Sequence, residues 1–141
     1  MSEFRILVTG SRLWTDTEKI ERVFSGLQAP PEAPITLIHG GCAGLDELAA
    51  QAAAQRGWYV EPWPITSDDW IKHGKLAGPL RNRAMVDSGA DICYGFPYNQ
   101  LAWGGTLGCM TMADMAGIPV YCQEDPDRWH AKQWMIDKIT V

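Results

Sequence analysis

The sequence has few of the features that mark nucleic-acid-binding proteins. It contains no run of Lys or Arg, and its formal net charge is −5, with a pI of about 5.1. Proteins that grip DNA or RNA displace counterions with a basic patch, so this charge disfavours a nucleic-acid partner. It does not exclude a small anionic ligand, because helix N-termini and single arginines can hold one.

Cysteine is scarce and is not spaced for metal binding. The four cysteines form no CxxC pair, and none has a histidine at zinc-finger spacing. The sequence therefore predicts neither a metal nor a cofactor, and the cysteines are expected to be free thiols in the core. It also lacks a secretory signal and an apolar run of membrane-spanning length, so we expect a cytoplasmic protein without a membrane partner.

The length and composition suit one ordinary domain. The chain has 141 residues, of which 46% are hydrophobic, and it shows no repeat, linker or low-complexity stretch. Short β-rich runs alternate with helical patterns, which is typical of βαβ units. The sequence therefore predicts a single α/β domain over residues 1–141, with a mostly parallel five-stranded sheet and helices on both faces.

The predicted elements follow from hydrophobic periodicity and from capping residues. Strands are predicted over residues 5–9, 35–38, 58–63, 91–94 and 118–121. Helices are predicted over residues 16–27, 43–56, 79–88 and 106–116, and a C-terminal helix lies within 127–141. Residues 65–78 have no clear period and are predicted to be irregular.

Glycines cluster directly after three of the predicted strands. Gly10 follows the first strand, Gly40, Gly41 and Gly44 follow the second, and residues 95–105 follow the fourth. Because the carboxyl ends of parallel strands meet at one edge of a sheet, these turns are expected to lie together where ligands bind. Glycine lets a ligand approach the backbone, and the next helix N-terminus attracts phosphate. The alternative is that each glycine serves only the geometry of its turn.

Polar and aromatic side chains accompany these glycines. Ser11 and Arg12 are expected to face the cleft, where the arginine binds phosphate or forms an ordinary surface ion pair. Asp46, in the first turn of a helix, either compensates the helix dipole or binds ribose hydroxyls. For Trp70, packing beneath its loop is favoured over stacking on a base, whereas Trp103 either packs or stacks on a base.

Three stretches together resemble a known family. They are VTGSR at residues 8–12, HGGCAGLDELA at 39–49 and DWIKHGKLAGPLRNRAM at 69–85, and the third is the most specific. They resemble the YspA-type, cpYpsA-related branch of the SLOG superfamily, which includes the LOG phosphoribohydrolases and the DNA-binding DprA proteins. The resemblance implies a Rossmann-like fold, a nucleotide-derived ligand such as a nucleoside phosphate, NAD or ADP-ribose, and a homo-oligomer. By this resemblance the ligand site consists of Gly10, Ser11, Arg12, Gly40, Gly41, Gly44, Asp46, Arg81, Asn82, Gly104, Gly105 and Thr106.

The chain departs from the LOG enzymes at their catalytic glutamate. Those enzymes share the motif PGGxGTxxE and an RxxxM arginine. Arg81 and Met85 reproduce the RxxxM spacing, but residues 103–110 read WGGTLGCM and contain no glutamate. Since cleavage of an N-glycosidic bond needs a general acid or a carboxylate, the LOG reaction is not implied. Asp46, Asp69 and Arg81 remain as catalytic candidates.

Three functions are therefore compatible with the sequence. A ligand-binding or sensing domain is favoured, because the glycine turns are present and the glutamate is missing. The second is a hydrolase of the N-glycosidic bond of a nucleotide or an NAD-like molecule. The third, a DprA-like nucleic-acid binder, is disfavoured by the acidic charge.

Overall fold

The computed structural model describes residues 2–98 and 104–123, which form one α/β unit. Its strands are β1 (Phe4–Gly10), β2 (Ile35–His39), β3 (Tyr59–Pro62), β4 (Ile92–Phe96) and β5 (Val120–Cys122). Its helices are α1 (Thr17–Ser25), α2 (Leu45–Gln55), α3 (Ser67–His73), α4 (Ala77–Asp87) and α5 (Gly104–Met115), with a 3₁₀ turn at Gly74–Leu76.

The sheet has the order β3-β2-β1-β4-β5, and every strand pair is parallel. The chain first builds outward from β1 to β3 and then returns past β1 to place β4 on its other side. Strand order therefore reverses between β1 and β4, where Gly10 pairs with Phe96. In open parallel sheets such a reversal opens a crevice at the carboxyl ends of the strands.

The two faces of the sheet are covered by different helices. Ile6 and Val8 belong to the core under α1 and α2, whereas Leu7 belongs to the core under α4 and α5. This alternation follows from the period of two along a strand. The predicted fold class, with helices on both faces of a five-stranded parallel sheet, is confirmed.

The cysteines support the same arrangement. Cys93, Cys109 and Cys122 are buried, Cys42 is half-buried, and these four cysteines form no disulfide with one another. Three of the four thus lie in the core as expected. Among the described residues, no helix is both long and apolar enough to cross a membrane.

The prediction that residues 65–78 are irregular is wrong, because α3 and a 3₁₀ turn occupy most of this stretch. A capping box begins α3: the Thr66 Oγ1 accepts the Asp69 N–H at 3.1 Å, and the Asp69 carboxylate accepts the Thr66 N–H at 2.9 Å. No residue of α3 is buried, so the helix has no apolar stripe that periodicity could detect. The Thr-x-x-Asp spacing was the available signal.

The other predicted boundaries agree with the observed ones to within two residues. The N-cap of α1 is Asp16, whose side chain accepts a hydrogen bond from the Lys19 N–H at 3.0 Å. Helix α4 begins at Ala77, two residues earlier than predicted. The predicted C-terminal helix within 127–141 lies outside the described residues.

Candidate functional site

A cavity of about 450 Å³ opens at the carboxyl edge of the sheet, beside the reversal point. It joins the turns that follow β1 and β2 with parts of α3, α4 and α5. Among the residues predicted for the site, the cavity is lined by Gly10, Ser11, Arg12, Gly40, Asp46, Arg81, Asn82, Gly105 and Thr106. The glycine turns after β1 and β2 therefore meet at one cavity, together with the first turn of α5.

A second depression of about 620 Å³ lies between α1 and the β4–β5 edge. It is larger and more open, but none of the predicted site residues lines it. The smaller cavity is the better candidate because it lies at the crevice and brings separate turns together.

The turn at residues 40–42 is fixed through two of its N–H groups and a carbonyl. Asp46 Oδ2 accepts the N–H of Gly40 at 3.0 Å and that of Cys42 at 3.3 Å. Arg81 Nη1 donates to the Gly40 carbonyl and, at 3.1 Å, to the Trp63 carbonyl. The two predicted ligand residues Asp46 and Arg81 thus also shape the wall of the cavity.

Most of the donors of Arg81 are used within the protein. Its Nε donates to Asn82 Oδ1 at 2.8 Å, and its Nη1 serves the two carbonyls just described. Its Nη2 has only a weak contact with the Cys42 Sγ, at 3.9 Å. Only this last nitrogen is therefore available to a ligand without breaking a stronger hydrogen bond.

Several turn glycines are required by the fold itself. Gly44 has φ +77°, and a Cβ on it would collide with the carbonyl of Arg12. A Cβ on Gly40 would lie 2.5 Å from Arg81 Nη1, and one on Gly10 would collide with Leu45. For these positions, turn geometry and packing are sufficient reasons for glycine. Gly41 and Gly44 do not line the cavity.

Three other glycines lie within helices and line the cavity, although neither turn geometry nor packing requires glycine at their positions. They are Gly78 in α4 and Gly105 and Gly108 in α5, and a Cβ on any of them would meet no atom within 4 Å. None has a positive φ. Glycine in a helix costs up to about 1 kcal/mol relative to alanine. These glycines thus leave the helix backbone accessible from the cavity. They also make the helices less stable than alanine would.

Asp46 is a buried carboxylate, and only one of its two oxygens accepts hydrogen bonds from the described residues. Only 5% of the residue is exposed, and both of its amide hydrogen bonds go to Oδ2. In the part of the chain that the structure describes, Oδ1 accepts no hydrogen bond. It is nevertheless not completely shielded from solvent. Because Asp46 lines the cavity, we infer that this oxygen faces it.

Burial raises the pKa of Asp46 from 3.8 to about 6, although the N–H groups of Cys42 and Gly40 and the charges of Arg81 and Arg12 lower it. The folded protein therefore holds this proton more tightly than the unfolded chain, and stability falls as the pH rises from about 4 to 6. We expect Asp46→Asn to remove this fall. The difference in the free energy of unfolding between Asp46→Asn and the wild type should therefore shift in favour of the variant by on the order of 3 kcal/mol between pH 4 and pH 8.

Urea denaturation of both proteins across this pH range measures the effect. Equal pH dependence of the wild type and Asp46→Asn would show that the carboxylate is not destabilised by burial.

The remaining predicted residues differ in their surroundings. Arg12 is exposed and forms no ion pair with any residue of 2–98 or 104–123. Ser11 Oγ accepts the Leu13 N–H at 3.0 Å, so the hydroxyl oxygen stabilises its own turn. Asp69 caps α3, does not line the cavity, and has its pKa lowered by hydrogen bonds with Thr66.

Cys42 and Trp70 are among the cavity residues that sequence reasoning did not assign to the site. Cys42 lies in the glycine turn itself, and its position between Gly41 and Gly44 was the available signal. Trp70 lines the cavity and is 48% exposed, so the prediction that it packs beneath its loop is wrong. Trp103 lies outside the described residues.

Comparison with known proteins agrees with the motifs. The profile of the YspA, cpYpsA-related SLOG family matches residues 4–73. The chain is 41% identical over 120 residues to the Gene 61 protein of Mycobacterium phage D29, and the match covers 82% of this chain and 93% of the phage protein.

The fold is similar to that of a solved structure. The X-ray structure of DNA processing protein A (DprA) from Streptococcus pneumoniae matches with a TM-score of 0.66 and 20% identity, over 85% of this chain and 50% of that one. The chain thus spans about half the length of that protein, and the likeness concerns the fold alone. With the family profile and the phage relative, these findings show that the chain belongs to the YspA, cpYpsA-related SLOG family.

Proposed function

We propose that this protein binds a nucleotide-derived small molecule, such as a nucleoside phosphate, NAD or ADP-ribose, as a ligand-binding or sensing domain. The main support is that one cavity joins the glycine turns after β1 and β2 with the first turn of α5 at the reversal point of the sheet. Its volume of about 450 Å³ lies within the range of small-molecule sites.

The N-terminus of α5 is suited to the phosphate. Gly105 and Thr106 line the cavity in the first turn of this helix, where backbone N–H groups have no partner within the helix. Arg12 lines the same cavity and adds a guanidinium that forms no ion pair within the described ranges. A phosphate group would therefore meet both a helix dipole and a full positive charge.

The open Oδ1 of Asp46 is suited to sugar hydroxyls. An ionised carboxylate accepts hydrogen bonds only, so this oxygen selects a donor and repels an anion. Ribose hydroxyls are donors of this kind. We infer that the sugar lies at Asp46 and the phosphate at α5 and Arg12.

A thermal-shift screen tests this proposal. Mononucleotides, NAD, ADP-ribose and cyclic dinucleotides are added to the wild type, to Arg12→Ala and to Arg83→Ala. Arg83 is the matched control, because it is an exposed arginine that does not line the cavity. With increasing concentration, a ligand should raise the midpoint of thermal unfolding of the wild type and of Arg83→Ala. It should raise the midpoint of Arg12→Ala much less. No rise with any compound would refute the proposal.

A hydrolase acting on the N-glycosidic bond is the second candidate, and Asp46 favours it. It is the one carboxylate among the described residues that line the cavity, and a pKa of about 6 suits a general acid or base at neutral pH. The buried Cys109, within the stretch that lacks the glutamate, cannot serve instead, because burial raises its pKa to about 11.

Chromatography for released base after incubation with nucleotides and NAD decides between binding and hydrolysis. A hydrolase should release base, and Asp46→Asn should reduce the rate by at least about a hundredfold. Binding without any released base would support the binding or sensing function and contradict the hydrolase.

A DprA-like interaction with nucleic acid has weaker support. The shared fold does not specify a ligand, and the net charge of −5 opposes binding to a polyanion. A salt-sensitive gel shift at physiological ionic strength would be needed to favour it.

A further inference from the structure

Trp70 is an exposed aromatic side chain that lines the cavity. It is 48% exposed, and among residues 2–98 and 104–123 its ring has no aromatic or cation–π partner and its indole N–H has no hydrogen-bond partner. The other tryptophans in these ranges each have one: Trp14 contacts Phe96, Trp58 contacts Phe24, and Trp63 donates to Glu61. An indole is large and mostly apolar, so leaving it half-exposed forfeits a substantial hydrophobic gain.

The backbone that bears Trp70 is fixed at both ends of its short helix. The capping box of Thr66 and Asp69 begins α3, and the Trp70 N–H donates to the Thr66 carbonyl at 3.2 Å. At the other end, the N–H of Gly74 donates to the Trp70 carbonyl. The exposed ring therefore stands on an ordered segment, as a preformed contact surface requires.

The residues that line the cavity differ in exposure and in polarity. Asp46 is only 5% exposed, whereas Trp70 is 48% exposed, and the lining includes the apolar Ile65 and Pro79 as well as the exposed Arg12. The apolar surface of an indole ring suits neither a phosphate nor a sugar. The flat face of a purine or pyrimidine base fits it, because every base has a π-face that stacks on indole.

We propose that Trp70 stacks on the base of the ligand, so that the site selects base-containing nucleotides over sugar phosphates. This inference rests on the proposed function and extends it from the phosphate and the ribose to the third part of a nucleotide. Trp70 is then a specificity residue and takes no part in any chemistry.

Calorimetric titration of AMP, ADP-ribose and ribose 5-phosphate tests the inference on four proteins: wild type, Trp70→Ala, Trp70→Phe and Ile71→Ala. Trp70→Ala should weaken binding of AMP and ADP-ribose about tenfold or more, while Trp70→Phe should keep most of the affinity. Ribose 5-phosphate, which has no base, should bind all four proteins equally. Ile71 is the control for damage to α3, because it is 82% exposed and does not line the cavity.

The outcomes separate this inference from the proposed function. If the wild type binds AMP or ADP-ribose and Trp70→Ala binds them equally well, the stacking role is wrong and the site stands. If Trp70→Ala loses ribose 5-phosphate to the same extent, the residue acts on the cavity as a whole and the inference is also wrong. If the wild type binds none of the three, the proposed function fails for these ligands and the inference fails with it.

Discussion

Gly44→Ala should destabilise the protein by roughly 3–5 kcal/mol, a large share of its total stability. The residue has φ +77°, which an L side chain rarely adopts, and a new Cβ would collide with the carbonyl of Arg12. That carbonyl belongs to a turn that cannot easily move, because the neighbouring Ser11 carbonyl accepts the N–H groups of Trp14 and Leu45. Urea denaturation gives the free energy of unfolding, which for a domain of this size is about 5–15 kcal/mol.

Gly57→Ala is the control for a positive φ without a collision. Its φ is +76°, almost that of Gly44, but a Cβ there would meet nothing within 4 Å. Gly44 also has ψ −122°, outside the left-handed helical region, which adds to its own strain. Gly57→Ala should cost only about 1 kcal/mol, the strain of the left-handed conformation. If the two variants lose the same stability, the packing of the turn after β1 against the turn after β2 is not what requires glycine at position 44.

Gly108→Ala should change stability and binding in opposite directions. The position is helical and a Cβ would meet no atom, so alanine should raise the free energy of unfolding by about 0.5–1 kcal/mol. The same methyl group would stand in the cavity and keep a ligand from the backbone of α5. We therefore expect affinity for the ligand found in the thermal-shift screen to fall about tenfold or more.

Thr111→Ala is the control for a general effect on α5. Thr111 is on the same helix but does not line the cavity, and alanine there also improves helix propensity. It should raise stability without altering affinity. Unchanged binding by Gly108→Ala would mean that the ligand does not approach this face of α5.

The positions of the glycine turns could be predicted because they depend on local pattern. A strand, a glycine and a helix start follow one another at residues 4–17 and again at 35–45, and parallel pairing brings their ends together. The role of each glycine could not be predicted, since it depends on distant neighbours. Gly40 faces Arg81, which is 41 residues away.

The side chains of the site are harder to assign from sequence than the turns. Arg81 matches a family motif, but the sequence does not show that two backbone carbonyls already occupy its Nη1. For Trp70 the sequence favours packing because tryptophan is usually buried, and α3 has no buried face to reveal the true setting of the ring. For Arg81, the contacts that decide the role join segments far apart in the chain.

Amide NMR spectroscopy during titration with ADP-ribose tests the central claim most directly, because it locates a ligand as well as detecting it. The account predicts saturable shifts at Gly40, Cys42, Gly105 and Thr106, which line the cavity, and none at Gly26, which lines the larger depression beside α1. Shifts confined to the region of Gly26, or no shifts at millimolar ligand, would contradict the assignment of the cavity as a nucleotide site.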